Sequence, residues 1–206
     1  MKMQKSPPSL KSASGGGFFF EDKVAALLLC EMLIAKQSLG KDLGVAQQLE
    51  RQAGDWEPFG DLVLTFSHSV EKLVKCGCSV KSNQPINSNG CNPDFLSGLW
   101  ATIAKQPFVR NEDVLALFSS PLAQVPHKHL NALCEQARES DASRLEQRIL
   151  HQNHQDARTI YDSFRHPTDK SQDGLPGHVL AHFVSREFDF ENWPCPDCVD
   201  RRCVSV

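Results

Sequence analysis

Glu21, Asp61 and Lys81 are the residues in this sequence whose types suggest a reaction. Carboxylates offer hard oxygen ligands, and Mg2+ takes one or two of them while keeping several waters. A lysine ammonium is a compact charge that orients or neutralises an anion. A carboxylate pair beside one lysine can hold a hard cation against a phosphodiester and activate a bound water. It can also stabilise the charge that builds on phosphorus. The expected assignment is Glu21 and Asp61 as metal ligands for Mg2+, with Lys81, Asp61 and Glu21 as the catalytic set. Each also has a plainer explanation. Glu21 suits the positive end of a helix, Asp61 suits a strand start, and Lys81 suits a solvated strand end.

Such a set needs elements that bring distant residues together. Phe20, Val24, Leu27, Leu28 and Met32 recur at helical spacing and predict a helix over residues 18–36, with Glu21 in its first turn. Residues 61–68 and 72–82 predict a β-hairpin with its turn at 69–71, because apolar and β-branched residues dominate both runs. Asp61 opens the first strand and Lys81 closes the second, so pairing would put both at one end of the sheet. A weaker helix is expected over 45–52. Further helices are expected over 94–105, 111–119, 129–139 and 141–153, with Asp141 and Ser143 as caps. Residues 158–177 predict a linker, and 176–190 one last helix.

The segments Gly16-Gly17, Phe19-Phe20-Glu21 and Val24-Ala25-Ala26, then Asp61-Leu62, then Lys81-Ser82 occur in an order that resembles a bacterial family. It comprises the restriction-endonuclease-like nuclease domains, of the PD-(D/E)xK superfamily, at the N-termini of anti-phage STAND ATPases and of related oligonucleotide-activated nucleases. The resemblance covers about a third of the chain strongly. It implies an α/β fold: a restriction-endonuclease-like core, a mixed sheet flanked by helices, with a helical C-terminal extension. The expected organisation is a disordered leader to residue 17, the core over 18–110, the extension over 111–190 and a disordered or disrupted tail over 191–206. It further implies Mg2+-dependent cleavage of DNA, with the acidic helix residue at Glu21, the strand aspartate at Asp61 and the lysine at Lys81. A homo-oligomer is left open, and an ATPase or sensor module is expected to be missing after Val206. Ser79 departs from the family pattern, which has an acidic residue or glutamine two positions before the lysine. A hydroxyl is a poor hard-cation ligand beside a carboxylate. A single ion on Glu21 and Asp61, or an inactive relative of the same fold, are the alternatives this leaves. Glu31 and Asp55 are the candidates for a carboxylate that folds into the gap.

The totals agree with one α/β domain that needs no covalent staples: 206 residues, with net charge -3. That charge does not advertise nucleic-acid binding, so a DNA surface would be local. Lys72, Lys75, Lys81 and Lys105 could line such a groove, or form a scattered solvated face. The polar start has no secretory signal, no apolar run spans a bilayer, and a cytoplasmic chain would keep its eight cysteines reduced. Cys76 and Cys78 alternate on one strand and are expected in the core. No signature supports a thiol protease at Cys134. Gly15-Gly16-Gly17 runs into Phe18, not a phosphate-loop lysine. His178, His182, Cys195 and Cys198, with Cys203 to spare, have zinc-ligand types, but an unstructured tail without zinc is the expectation.

Overall fold

The computed structural model describes residues 16–39, 43–51, 54–67, 73–105, 108, 112–151 and 154–190. The chain begins with α1 (Gly16–Leu33), β1 (Ala46–Arg51), β2 (Leu62–Ser67) and β3 (Leu73–Lys81). A two-stranded ladder of β4 (Ile86–Asn87) and β5 (Gly90–Cys91) leads into α2 (Pro93–Ile103). Then come β6 (Val114–Ser119), α3 (Gln124–Glu139), α4 (Ala142–His151), α5 (Gln155–Ser163), α6 (Pro176–Leu180) and β7 (Phe183–Glu187). Five strands form one sheet in the order β1-β2-β3-β6-β7. The first three are antiparallel, and β6 and β7 run parallel to β3. The mixed α/β class expected from the sequence is what forms.

The expected hairpin is present. Leu62 lies opposite Cys78 and Ser67 opposite Leu73; the turn at 69–71 lies outside the described residues. Alternation divides its side chains between two cores. Leu62, Leu64 and Phe66 join Val74, Cys76, Cys78 and Val80 beneath Val24 and Leu28 of α1. Val63 faces the other way, with Trp56, Phe59, Phe95 and Leu99. Gly77 also lies on that second face, where a Cβ would come within 2.3 Å of the Trp56 ring. Only glycine lets the indole lie against the strand. Cys76 and Cys78 are buried as expected, and burial pushes the Cys76 thiol well up.

Helix α1 is the predicted 18–36 helix, starting two residues earlier and ending three earlier. It is tied to the far edge of the sheet through Glu31, which is 2% exposed. Arg186 of β7 donates to both its oxygens at 2.6 and 2.7 Å, and Lys36 donates at 2.7 Å. Burial alone would raise the Glu31 pKa, but the hydrogen bonds from Arg186 and Lys36 outweigh it and bring it down to about 2.

Several expectations are corrected. The helix expected over 45–52 does not form at Ala46–Arg51: Ala-Gln-Gln-Leu-Glu-Arg is β1, an edge strand, because pairing with β2 overrides its helical propensity. The helix expected over 111–119 does not form at Val114–Ser119 either. Val-Leu-Ala-Leu-Phe-Ser is β6, an inner strand between β3 and β7, buried on both faces. A short unbroken apolar run fits a buried strand and a buried helix equally well. The predicted last helix over 176–190 stops at Leu180, and the chain returns to the sheet as β7. The predicted linker over 158–177 contains most of α5 and the start of the short α6, and its Ile160, Tyr161, Phe164 and Leu175 are core residues. Residues 111–190 are therefore not simply a helical extension: they supply two of the five strands of the sheet. The expected helices near 94–105, 129–139 and 141–153 are present as α2, α3 and α4, α3 starting five residues early. Asp141 caps α4, accepting from the Arg144 N–H at 2.9 Å. Among the described residues no helix is long and apolar enough to cross a membrane.

Candidate active site

Asp61 and Lys81 meet at one end of the sheet. A 3-10 turn, Gly54–Trp56, and the bond from Gly60 N–H to the Trp56 carbonyl at 2.8 Å deliver the chain to β2. The Asp61 N–H then donates to the Cys78 carbonyl at 2.9 Å, extending the β2–β3 ladder by one residue. This fixes the carboxylate over the end of β3. Its Oδ2 accepts from Lys81 Nζ at 2.9 Å, from the Val80 N–H at 2.7 Å and from Ser79 Oγ at 3.4 Å. All three contacts fall on Oδ2. Asp61 and Lys81 are each about one-third exposed, so the pair is open to a solute.

Glu21 does not join this pair. It accepts from Arg51 Nη2 at 3.1 Å, and Asp22 pairs with the same nitrogen at 2.8 Å. The Glu21 hydrogen bond outweighs desolvation and raises the Arg51 pKa further. Arg51 lies directly opposite Leu62, whose side chain belongs to the α1 core. Ser79 and Lys81 instead line a cavity with Phe59 and Phe95 of the second core. Glu21 and the Asp61–Lys81 pair thus flank one end of the sheet from opposite faces. The local reason is helical: Glu21 is on the helix that covers the α1 face, and β1 offers Arg51 there.

No carboxylate expected for the Ser79 gap arrives. Glu31 is committed to Arg186 and Lys36. Asp55 lines a different, smaller cavity with Glu50 and Lys75. Ser79 itself is 1% exposed. The carboxylate that shares its cavity is Asp94, in the first turn of α2. Asn92 caps that helix, accepting from the Asp94 N–H at 2.9 Å and the Phe95 N–H at 3.4 Å, and Pro93 opens it. The Asn-Pro-Asp run signals such a helix start, in line with the expected 94–105 helix that begins at Asp94. Among the described residues, no group of three or more His, Cys, Asp or Glu side chains is arranged to hold a metal.

A second polar group at the same end escaped the sequence reading. Parallel pairing sets Lys81 beside Ser119, and Ser119 beside Glu187. Glu187 accepts from the Leu122 N–H at 2.9 Å and from His127 Nδ1. Asn131 Nδ2 lies 2.7 Å from His127 Nε2, and Ser185 Oγ donates to Asn131 Oδ1 at 3.1 Å. This arrangement puts the imidazole proton on Nδ1, an assignment made by the network. Ser119 Oγ, between the two groups, is buried without a hydrogen-bond partner. The ends of β3, β6 and β7 therefore form a polar row at their C-terminal edge, where open α/β sheets commonly bind ligands. No period or motif links His127 to Glu187; only the parallel β7 does.

At the opposite end of the sheet, His178 and His182 line one cavity with Asp113 and Asp141. Cys195, Cys198 and Cys203, in the tail expected to be unstructured and free of zinc, lie outside the described residues. Lys72 does as well. Lys105 donates to the Glu57 carbonyl, and Lys75 lies three register positions from Cys78 toward the hairpin turn, so Lys75 does not stand with Lys81 beside Asp61. No family model, curated protein or solved structure matches the chain.

Proposed function

We propose that the chain is a Mg2+-dependent DNA endonuclease domain acting at Asp61 and Lys81, as an effector in bacterial anti-phage defence. The observation that carries this reading is the 2.9 Å contact between Asp61 and Lys81, from the start of one strand and the end of its antiparallel neighbour. That is the placement the family resemblance calls for. The helix bearing Glu21 packs on the same strands.

The donor set fits one kind of cation site. Asp61 Oδ2 is saturated by its three contacts, which leaves Oδ1 as the ligand oxygen. One carboxylate oxygen suits a Mg2+ that takes the rest of its shell from water and substrate phosphate. The set does not fit the two-carboxylate site expected on Glu21 and Asp61 while Glu21 is held by Arg51. The bound ion would lower the pKa of a water and offset charge on the phosphate. Lys81 supplies a fixed positive charge for the phosphate oxygens and for the charge that builds on them. The Val80 N–H and Ser79 hydroxyl hold Asp61, and Asp61 holds Lys81, so the ammonium is positioned before substrate arrives. The protein would act in trans on an anion drawn to one local cation, since the net charge gives no general attraction.

A second reading, a non-cleaving binding domain of the same fold, is favoured by one observation. Ser79 stands buried where the family has an acidic residue or glutamine, and neither Glu31 nor Asp55 takes its place. Supercoiled plasmid incubated with the full chain separates the two. Nicking with Mg2+ that stops in EDTA supports the nuclease. Retardation of the plasmid without nicking, across Mg2+ and Mn2+, supports the binding domain.

A further inference from the structure

Helix α1 is apolar on the face that meets the sheet and again on the face that meets water. Phe19, Leu29 and Leu33 are 62%, 47% and 85% exposed, and Ile34, just beyond the helix, is 72% exposed. Ala26 and Cys30 are exposed among them. A helix that is apolar all round is ordinarily covered all round. Phe19, Asp22, Ala26, Leu29 and Leu33 recur at alternating three- and four-residue intervals, the seam spacing of paired helices. Asp22, the charge on that seam, is already paired with Arg51 at 2.8 Å. Beside the seam, Leu29, Met32 and Leu33 with Val45, Ala46 and Gln47 line a groove of about 650 Å³ between α1 and the edge strand β1.

This face is complementary to itself. Phe19 and Leu33 lie seven residues to either side of Ala26. In an antiparallel pair of α1 helices crossing at Ala26, the small side chain lets the axes approach. Phe19 of one copy then meets Leu33 and the groove of the other. Area and charge point the same way. The four large side chains leave roughly 400–500 Å² of apolar surface uncovered, the scale of the largest patch on a typical monomer. With Ala26, Cys30 and the groove walls, each copy would bury about 600 Å², the low end for specific interfaces. The rim carries Glu21 and Asp22 with Lys23 and Arg51, a balanced set and not the basic face that an anionic lipid surface attracts. We propose that this face is the interface of a homodimer, in which α1 packs antiparallel on α1 of a second copy about a two-fold axis at Ala26. The inference stands apart from the nuclease reading, since neither Asp61 nor Lys81 enters it.

The test is light scattering on the full chain as it elutes from size exclusion, loaded between about 1 and 300 µM, since an interface of this size implies a dissociation constant on the order of micromolar. A mass twice that of the 22.9 kDa chain is expected at the upper concentrations. Leu33→Glu and Phe19→Lys each place a charge on the seam at an exposed position. Each should keep the circular dichroism of the parent and weaken the dimer by about 30-fold or more. Mixing the two should restore it, because the glutamate then faces the lysine. With Cys30→Ser as background, Ala26→Cys should give a covalent dimer when oxidised with copper–phenanthroline. Ser97→Cys, on α2 across the sheet, should not. A parent that stays monomeric throughout, whether another segment of the chain or lipid vesicles cover α1, overturns the proposal. So does a dimer that survives both charged variants, that mixing fails to restore, or that Ala26→Cys does not link.

Discussion

Ser79 is the residue on which the chemistry turns. The sequence already exposed it, because a motif with one departure points to the departure. What the sequence left open was whether another carboxylate folds into its place, and the two candidates failed for different reasons. Glu31 is neutralised by Arg186, a residue 155 positions away, and no local pattern could reveal that contact. Asp55 lies in a turn whose direction is set by Trp56 lying on Gly77. Asp61 and Lys81 were legible because their strand was. Glu21 was legible as a helix-start acid, but its capture by Arg51 depended on a strand that read as a helix. If the site binds Mg2+ through Asp61, a carboxylate restored at position 79 should respond to the metal. Ser79→Glu buries a charge beside Asp61 and should destabilise the metal-free protein by about 1–3 kcal/mol. In a chain of this size that lowers Tm by roughly 2–4 °C for each kcal/mol. Millimolar Mg2+ should recover most of the loss, read by thermal denaturation with and without EDTA. A loss that Mg2+ leaves unchanged would count against a cation at Asp61.

At the level of elements, the antiparallel part of the sheet was easier to read than the parallel part. β2 and β3 alternate between two cores, and alternation leaves a period in the sequence. β6 is buried on both faces and leaves none, so its apolar run suits a helix as well as a strand. β7 carries Phe183, Ser185 and Glu187 toward one face and Val184 and Arg186 toward the other, in a strand too short to stand out from the helix before it. Its Arg186 gives the element its main tertiary tie, the buried pair with Glu31. Glu31 has its pKa lowered to about 2 from an ordinary 4.5, so the folded state favours its charged form. The associated stability is fully present above about pH 4.5 and is lost as pH falls toward 2. The shift corresponds to something on the order of 3 kcal/mol. Glu31→Gln should be less stable than the parent at pH 7, by about 3–5 kcal/mol, because Arg186 is left without its partner. Its stability should also fall less steeply between pH 4.5 and 2. Urea denaturation at several pH values, followed by the fluorescence of buried Trp56 and Trp100, reads both effects. Parallel pH profiles for the two proteins would contradict the assigned role.

For the molecule as a whole, the sheet and its two cores tie the first half of the chain to the second. β6 joins β3 across the middle of the sheet, and the second core draws on α2, α3, α4, α5 and α6 together. An autonomous core ending at residue 110 is therefore not expected to fold. A chain cut there loses β6 and β7 and exposes Leu99, Ile103 and Val63 to water. Its circular dichroism and amide proton dispersion should be those of an unfolded polypeptide. A folded 1–110 fragment would show that the helices of the second half are an appendage after all. The same architecture places Asp61 and Lys81 at a solvent-open end of the sheet, where neither side chain supports a core. Substitution there should spare the fold, which makes the central claim directly measurable. Initial rates of Mg2+-dependent plasmid nicking are compared for the parent, Asp61→Ala and Lys81→Ala at equal concentration, with matching Tm values as the control for folding. Slow nicking by the parent and a loss of about 100-fold or more in each variant are expected, the scale of removing a charge-stabilising group from a hydrolytic site. Nicking that continues at the parent rate in both variants would contradict it.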